Sequence, residues 1–424
     1  MILELSISNF LSFKNEVTFS FEATSDKTLD EYYVAQQEDG TRILKMAMVY
    51  GANASGKSNL VEAFDFLNNF IHNIPEEKET ETPFVPFMFG ETAKQPGNFE
   101  LLFYVNGKKH RYQLKVDGNT VFEEKLFTYP GTQPATVFNR YYNAEKKISV
   151  VEFGPKIKIS AQALEAIQLK TLKNMSVFSA YSQVNISIDE LEQVSNWFDN
   201  QFLHSIDPYT DLTSFSDHAI QNNEKIKKHT LQFLKEADFN ITDVLFEDKI
   251  KKLPEEMLRF FETAPISEEE MARIKKEKAL HAEETIFTHK IIDKGNEELY
   301  TLPENRQSKG TIRYYGLSAP FFHAIENNAF LPIDEIGSAL HPLLVMHFLR
   351  EFLKKSTQAQ LLFTTHNMSL LNEKEMLRKD AIWFTEKQED GATELFSMAD
   401  FNFRKELSFY NAYKLGKFGG VPEL

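Results

Sequence analysis

Apolar and polar residues alternate along the opening segment LELSISNFLSFKNEVTFSFEA, with a break near Asn9 to Ser12. A period of two is the pattern of a half-buried strand, so this segment predicts two strands or a hairpin. The run ILKMAMVYG that follows is apolar up to its glycine. It predicts a strand that is buried on both faces.

Helical spacing begins directly after this strand, because the apolar residues from Lys57 to Ile71 recur at intervals of three and four. Alternation returns between Pro83 and Val151, where Asn106-Gly107 and Asp117-Gly118 are hairpin-turn signals. These patterns predict a strand, a glycine-containing loop and a helix, followed by an antiparallel β lobe.

The middle of the chain, from about Ser160 to Lys290, has a charged helical pattern, and the run from Lys249 to Glu284 is typical of an exposed helical arm. In the final third, NNAFLPIDE and AQLLFTTH read as buried strands around the helical segment PLLVMHFLREFLKK. This order predicts a parallel βαβ unit. Pro332 conflicts with a central strand, because proline cannot donate a ladder hydrogen bond.

Composition narrows the class of protein. The 424 residues are 42% hydrophobic and include no cysteine, so a packed core is feasible while disulfides and thiolate metal sites are excluded. No apolar run approaches the roughly 18 residues that span a bilayer, which predicts a soluble, cytoplasmic protein without a membrane partner. The net charge of −15 disfavours indiscriminate nucleic-acid binding, although FRKELSFYNAYKLGKF is a candidate basic face.

The segment YGANASGKSNL carries the clearest chemistry. Gly51, Gly56, Lys57 and Ser58 match the phosphate-loop pattern G-x-x-x-x-G-K-[ST]. Backbone N–H groups and the start of the helix attract phosphate oxygens, the lysine neutralises their charge, and the serine suits Mg²⁺. The pattern predicts nucleotide binding, and the other residues of the predicted binding set are Asn53, Ala54, Ser55 and Asn59.

Two carboxylates and an imidazole follow later strands. Asp334 suits the Mg²⁺ shell, and the adjacent Glu335 suits the polarisation of an attacking water. His366 follows the next strand, where an imidazole can hydrogen-bond a γ-phosphate. Taken singly, the acid pair also fits a surface turn and the histidine a structural role, but their order behind a phosphate loop favours function. Lys57, Glu335 and His366 are the predicted catalytic residues, and Ser58 and Asp334 the predicted metal ligands.

A second anion site is predicted at Ser308, Lys309, Gly310 and Thr311, a polar turn that opens an apolar helix. One chain cannot direct this turn and its own phosphate loop at a single γ-phosphate, whereas a partner chain can. The sequence therefore predicts a composite site between two copies of the chain.

Together, NFLSF, YGANASGKSNL, SKGT, LPIDEIGSALHP and FTTHN resemble the ATP-binding-cassette (ABC) class of ATPase heads, in the branch that includes RecF, SMC proteins and OLD-like AAA ATPases of bacterial defence islands. The resemblance implies an α/β fold, a P-loop ABC-type ATPase head with a mixed sheet and an antiparallel β lobe, plus a helical insertion domain. It implies an N-terminal ATPase half at 1–155, the insertion at 156–295, and a C-terminal half with a short basic tail at 296–424.

The resemblance also assigns roles. It implies that Ser308, Lys309 and Gly310 form a signature acting in trans and that His366 is the switch histidine. It makes SALHP a D-loop, whose residues at the dimer seam are Ser338, Leu340 and His341. The signature of this chain is Ser-Lys-Gly-Thr where the fuller form is Leu-Ser-Gly-Gly, and the insertion is shorter than the coiled-coil arms of SMC proteins.

The tail FRKELSFYNAYKLGKFGGVP is similar to that of RloA, AbiL and PARIS-type ATPase subunits. This similarity implies an ATPase that dimerises around ATP and Mg²⁺ and serves as sensor or scaffold of an anti-phage, abortive-infection complex with a separately encoded TOPRIM or HNH nuclease. Two alternatives stay open: a RecF-like DNA-repair ATPase that engages DNA directly, and an assembly protein that binds ATP with negligible turnover. Kinase, GTPase and AAA+ motor functions are disfavoured for want of their motifs.

Overall fold

The computed structural model of the chain describes residues 1–252, 254, 268–373, 375–401, 408–417 and 420. The chain divides into two compact units: unit 1 comprises Met1–Thr210 and His323–Leu424, and unit 2 comprises Asp211–Phe322. Unit 2 and the predicted insertion at 156–295 therefore do not coincide. One reason is that Ser176 and Ser179 both donate hydrogen bonds to the Ile71 carbonyl, which holds their part of the chain to the phosphate-loop helix.

The described residues form strands and helices that are numbered in chain order. The strands are β1 (Ile2–Ser8), β2 (Val17–Ser20), β3 (Val34–Gln36), β4 (Arg42–Leu44), β5 (Met46–Gly51), β6 (Gly97–Val105), β7 (Lys108–Val116), β8 (Val121–Tyr129), β9 (Ala135–Asn143), β10 (Ile148–Phe153), β11 (Ile241–Lys252), β12 (Ala279–Asp293), β13 (Asn296–Pro303), β14 (Phe330–Ile333), β15 (Gln360–Thr364), β16 (Ile382–Lys387) and β17 (Thr393–Ser397). The helices are α1 (Asp30–Tyr33), α2 (Lys57–His72), α3 (Ala161–Lys170), α4 (Val177–Tyr181), α5 (Asp189–Gln201), α6 (Leu212–Asn222), α7 (Glu224–Glu236), α8 (Glu268–Glu277), α9 (Lys309–Glu326), α10 (Pro342–Lys355) and α11 (Phe409–Lys414).

A seven-stranded antiparallel sheet forms the lobe of unit 1, in the order β10-β9-β8-β7-β6-β1-β2. The predicted alternation is confirmed, since buried residues recur at every second position of β7. Asn106 and Gly107 join β6 to β7 with φ of 49° and 75°. Positive φ at both positions is what a two-residue type I′ hairpin requires, so this turn prediction is also confirmed.

A five-stranded sheet, in the order β14-β15-β5-β16-β17, is parallel except for β17 at its edge. Every residue of β5 and β15 is buried, as the continuous apolar runs predict. Because β14 and β15 pair in parallel on either side of α10, the predicted βαβ order is confirmed. The α/β class, the sheet that carries the phosphate loop, and the antiparallel lobe are thus as predicted.

Pro332 was expected to disturb a central strand, but the strand that contains it, β14, is not central. β14 is the last strand of its sheet, where proline is tolerated. Residues 202–206 run beside its outer side: Leu203 N donates to Phe330 O at 3.0 Å and Ile206 N to Pro332 O at 2.9 Å. The proline nitrogen faces this irregular segment, so its missing N–H removes no hydrogen bond from the pairing of β14 with β15.

The seven-stranded and five-stranded sheets of unit 1 are joined by aromatic packing and by a buried amide. The Phe66 ring of α2 lies 4.6 Å from Phe99 of β6, while Phe64 lies 4.8 Å from Phe330 of β14. α2 therefore packs against both sheets. The Gln360 side chain at the start of β15 accepts a hydrogen bond from Ile2 N and donates to Ile2 O at 2.8 Å.

Unit 2 combines helices with a three-stranded antiparallel sheet in the order β11-β12-β13. The expectation of a helix throughout 249–284 was wrong at both ends, because Lys249 pairs with Ala282 and Lys252 with Ala279 across β11 and β12. The segment ITDVLFEDKIKK has no strict alternation of polarity, so its pairing with β12, and not its local pattern, identifies it as a strand. The middle of the run, 253 and 255–267, lies outside the described residues.

The predicted basic tail lies partly outside the described residues, which include α11, its flanks within 408–417, and Gly420. Over the described part of the chain, no helix combines the length and apolar character required to cross a bilayer.

Candidate nucleotide site

The phosphate loop connects the end of β5 to the start of α2, and both of its motif glycines are enforced by packing. A Cβ on Gly51 would lie 2.4 Å from the hydroxyls of Ser55 and Thr385. Gly56 has φ +103°, and a Cβ there would lie 2.2 Å from the Thr393 hydroxyl. No larger side chain fits at either position without displacing the loop. Because these two positions carry no side chain, the backbone of the loop can approach a phosphate group closely.

Lys57 is only 5% exposed, and its Nζ donates to the carbonyls of Gly51 at 3.1 Å and Ala52 at 2.9 Å. Burial lowers the pKa of Lys57, while the carboxylates of Asp334 and Glu335 oppose that shift. The ammonium group therefore folds back over the loop and lies within the field of the acid pair. A phosphate group in the loop would offer it a charged acceptor in place of two carbonyls.

One hydroxyl holds the acid pair in place. Thr364 Oγ1 donates to a carboxylate oxygen of Asp334 and accepts from Glu335 N at 2.8 Å. Glu335 has φ +49°, a left-handed backbone conformation that costs a non-glycine residue about 1 kcal/mol or more. This turn of the chain sends the second carboxylate in a different direction from the first, as two separate roles require.

His366 meets the acid pair from the end of the neighbouring strand β15. Its Nε2 lies 3.5 Å from Glu335 Oε1, and the two side chains are 42% and 45% exposed. Burial and the nearby Lys57 lower the pKa of His366, and Glu335 opposes them. The imidazole is therefore biased towards its neutral form, which can still donate one hydrogen bond to an acceptor at the mouth of the site.

The structure brings together Lys57, Asp334, Glu335 and His366, each predicted from sequence. Ser58 is exposed in the first turn of α2 and Asp334 is half-buried after β14; a hydroxyl and a carboxylate are the kinds of oxygen donor that Mg²⁺ prefers. In the rest of the predicted binding set, Asn53 and Ala54 lie exposed at the tip of the loop, Ser55 is buried, and Asn59 is half-buried.

Several supporting residues were not identified from sequence. The Ser55 hydroxyl lies 2.6 Å from that of Thr385 in β16, and Asn59 Nδ2 donates to Ser12 Oγ at 2.6 Å. Thr393 in β17 donates to Ser55 O at 2.8 Å. Ser12 belongs to the NFLSF motif, and this motif was the only feature of the sequence that pointed to these supporting residues. The loop is thus supported by strands distant in sequence.

The predicted trans elements differ in their surroundings. Ser308 and Lys309 are exposed at the start of α9, in unit 2, and Gly310 is half-buried. The Ser308 hydroxyl accepts from Thr311 N at 3.0 Å, as a helix N-cap does. This cap leaves the other N–H groups of the first turn for an anion.

The D-loop residues lie in unit 1, after the acid pair. Ser338 is half-buried and His341 is exposed, where its Nδ1 accepts from Leu343 N at 3.2 Å and caps α10. Leu340 is only 8% exposed within the single chain. It therefore has little surface left with which to line a seam.

A known protein family matches most of this chain. Residues 46–372 match the family described as "AAA domain, putative AbiEii toxin, Type IV TA system". No curated protein matches the chain. Among solved structures, the SMC head domain from Thermotoga maritima is 14% identical, with 93% of this chain and 98% of that one covered at a TM-score of 0.43.

An SMC head bound to the C-terminal winged-helix domain of ScpA is 13% identical, with coverage of 97% of this chain and 99% of that one at the same TM-score of 0.43. The structure agrees with the family match, since one mostly parallel sheet carries the phosphate loop, the acid pair and the histidine beside an antiparallel lobe. The family match extends from the start of β5 to beyond His366 and spans most of the chain, which therefore belongs to this family of AAA-domain ATPases.

Proposed function

We propose that the protein binds and hydrolyses ATP between two copies of the chain. The observation that carries the proposal is the convergence of Lys57, Asp334, Glu335 and His366 at the carboxyl ends of β5, β14 and β15. Ligands bind at this edge of parallel sheets. A buried ammonium group, a metal-binding carboxylate, a second carboxylate and an imidazole match the needs of phosphoryl transfer to water.

Each residue has a separate task in this proposal. Lys57 and the backbone of the phosphate loop bind and orient the β- and γ-phosphates. Ser58 and Asp334 hold Mg²⁺, which when bound neutralises phosphate charge. Glu335 accepts a hydrogen bond from the attacking water and so directs the water's lone pair at the γ-phosphorus. The water's proton leaves towards the carboxylate as the new P–O bond forms, while the bond between the γ-phosphorus and the bridging oxygen breaks and ADP leaves with the electron pair. His366, whose Nε2 lies 3.5 Å from Glu335 Oε1 here, donates its one N–H to the γ-phosphate when nucleotide is bound.

Glu335→Gln tests the hydrolysis step. The amide keeps the size of the side chain but is a poor base, so turnover should fall by about a hundredfold or more while ATP affinity is kept. Phosphate release and equilibrium binding of a fluorescent ATP analogue measure the two quantities. Glu373→Gln, at a half-buried glutamate paired with Arg350, is the matched control and should change neither. Full turnover by Glu335→Gln would remove Glu335 from the mechanism.

The dimer half of the proposal is tested by complementation. Lys57→Ala lacks a functional phosphate loop, and Ser308→Arg fills the proposed anion site in trans. Each variant alone should be inactive. A mixture forms heterodimers with one intact composite site, so it should regain about a quarter of wild-type turnover. No recovery in a mixture shown to exchange subunits would contradict catalysis in trans.

We further propose that this ATPase is the sensor or scaffold of an anti-phage system and controls a separate effector nuclease. The family description, which names a toxin of a type IV toxin–antitoxin system, supports this role, as does the similarity of the tail to those of RloA, AbiL and PARIS-type subunits. Phage plating on cells that carry the gene with its neighbours tests it. Protection that is lost in Glu335→Gln and in a nuclease-dead neighbour supports the role, and equal plating in all strains contradicts it.

A further inference from the structure

The C-terminal segment around α11 packs beside the phosphate loop, although it contains none of the nucleotide-binding motifs. Tyr413 of α11 is 5% exposed, and its ring lies 5.6 Å from that of Tyr50 and 5.3 Å from that of Phe384. Tyr50 immediately precedes Gly51, the first residue of the motif. We call the described residues 408–417 and Gly420 the C-terminal brace.

Gly420 makes the closest approach of the brace to the phosphate loop. A Cβ on Gly420 would lie 3.2 Å from Thr385 O and 3.5 Å from Gly51 Cα. Its φ of +65° is in the left-handed region, which favours glycine. Its carbonyl accepts from Tyr413 OH at 2.9 Å, and its N–H donates to Glu386 Oε1 at 3.4 Å. Two residues of the brace are thus bonded to each other across the end of β5.

Thr385 connects this contact to the loop itself. Its carbonyl faces Gly420, and its hydroxyl lies 2.6 Å from the Ser55 hydroxyl. Tyr50, next to Gly51, donates from its hydroxyl to the carbonyl oxygen of Asn367 at 3.2 Å, and Asn367 is the residue directly after His366. α11 also packs against the 3₁₀ turn Met368–Asn372. The brace therefore touches both the phosphate loop and the turn that follows His366.

We propose that the C-terminal brace is a positioning element of the nucleotide site. It holds the end of β5 and the turn after His366 in a fixed relative position. The backbone N–H groups of the phosphate loop and the imidazole of His366 can then contact the same phosphate group. The inference rests on the proposed ATPase function, and it assigns no contact between the brace and nucleotide. Tyr413 and Gly420 act through Gly51, Thr385 and Asn367.

The physical reason is the precision that phosphate binding demands. Convergent N–H groups lose their effect when they move, and a displacement of about 1 Å at a reacting group can cost on the order of a hundredfold in rate. Simple filling of a hydrophobic gap would need the Tyr413 ring only. The hydroxyl bond to a left-handed glycine beside Gly51 adds a geometric constraint that gap filling does not require.

Gly420→Ala is the primary test, with Gly40→Ala as its matched control. Gly40 has φ +86°, but a Cβ there meets nothing within 4 Å, so this variant reports backbone strain alone. Gly420→Ala should lower kcat/KM by about tenfold, with weaker binding of a fluorescent ATP analogue. Gly40→Ala should match the wild type in both. The two variants should unfold within a few degrees of each other.

Tyr413→Phe is the second variant and tests the same link without strain. It keeps the ring and removes only the bond to Gly420 O, so turnover should fall about threefold to tenfold. Hydrogen exchange of the amides of residues 51–58 in nucleotide-free protein supplies a readout independent of catalysis. Both brace variants should exchange faster there than the wild type and Gly40→Ala.

The outcomes separate this inference from the proposed function. A wild-type protein that does not bind ATP overturns the proposed function, while faster loop exchange in Tyr413→Phe still supports the brace. Active wild-type protein with unchanged kinetics and unchanged loop exchange in Tyr413→Phe overturns the brace and leaves the ATPase intact. If Gly420→Ala fails to fold, the result for Tyr413→Phe decides.

Discussion

The two larger sheets of unit 1 differ in where two sets of charged groups lie. In β14 and β15 of the five-stranded sheet, no strand residue is charged and every one is buried, and Asp334 and His366 follow the last strand residues at partly exposed positions. In the seven-stranded sheet, Glu124 of β8 and Arg140 of β9 lie in mid-strand with no exposed side-chain surface, 3.8 Å apart. Charges at strand ends stay accessible to a ligand, whereas charges within a sheet serve the fold.

The buried pair shows how such charges are compensated. Glu124 accepts from Tyr112 OH at 3.0 Å and from Val177 N at 2.9 Å, which ties the sheet to the start of α4. Arg140 donates to Ser149 Oγ and Leu172 O, each at 2.9 Å. Burial raises the pKa of Glu124 to about 7, although Arg140 opposes the shift. The comparison teaches that the same chemical groups are reactive or structural according to their place along a strand.

The largest expected effect comes from breaking the buried pair. Arg140→Met removes the positive charge but keeps most of the volume, and leaves the Glu124 carboxylate without its cationic partner. The free energy of unfolding should fall by about 3–5 kcal/mol, because an uncompensated buried charge remains. Urea unfolding measures it. Arg350→Met, which breaks the surface pair with Glu373, should cost at most about 1 kcal/mol.

The turnover per folded molecule should be unchanged in Arg140→Met, since Glu124 and Arg140 lie within the seven-stranded sheet and not at the nucleotide site. A loss of less than about 1 kcal/mol in stability, or a large loss of turnover without unfolding, would contradict the division between the sheets.

Thr364→Val should give the next largest effect, and in the other sheet. The variant keeps the shape of this fully buried side chain but removes the hydroxyl that binds Asp334 and Glu335 N. Turnover should fall by about tenfold to a hundredfold, because both carboxylates lose their orientation. Steady-state phosphate release measures this.

The control is Thr171→Val, which removes a buried hydroxyl bonded to Ile167 O away from the acid pair. Both variants should lose about 1–2 kcal/mol of stability, but only Thr364→Val should lose turnover. Equal turnover in the two variants would show that Thr364 does not position the acid pair.

The smallest expected effect is a pH dependence of stability. The pKa of Glu124 is raised in the folded protein to about 7 from 4.5, so the native state binds more protons than the unfolded state between these values. The associated stability is fully present at low pH and is lost as pH rises through about 7.

Urea unfolding at about pH 5.5 and 8 should therefore show that the wild type loses about 1–2 kcal/mol relative to Glu124→Gln over this interval. Glu373→Gln, which leaves Glu124 in place, should keep the pH dependence of the wild type. A wild type that gains stability relative to Glu124→Gln with rising pH would mean that Glu124 is ionised throughout.

Local patterns predicted the parts of the fold that local physics determines. The Asn106-Gly107 hairpin and the strand–loop–helix around Lys57 depend on neighbouring residues, and both were predicted with their turns. The acid pair and His366 were predictable because parallel strands bring their ends to one edge.

Other features depend on contacts between distant segments. Residues 202–206 cover the edge beside Pro332, which removed the conflict that the sequence presented. Thr364 has the pattern of an ordinary strand residue, and only the structure shows its hydroxyl between the two carboxylates. The approach of Gly420 to Gly51 joins residues almost a full chain length apart, so no periodic pattern could reveal it.

The amide of Gln360 has a consequence for the alignment of the first strand. Its oxygen and nitrogen bind the N–H and C=O of the same residue, Ile2, as a peptide unit of a neighbouring strand would. A slip of β1 by one residue would break both bonds and turn its apolar side chains towards solvent. One side chain from the parallel sheet thus sets the register in which the antiparallel sheet is assembled.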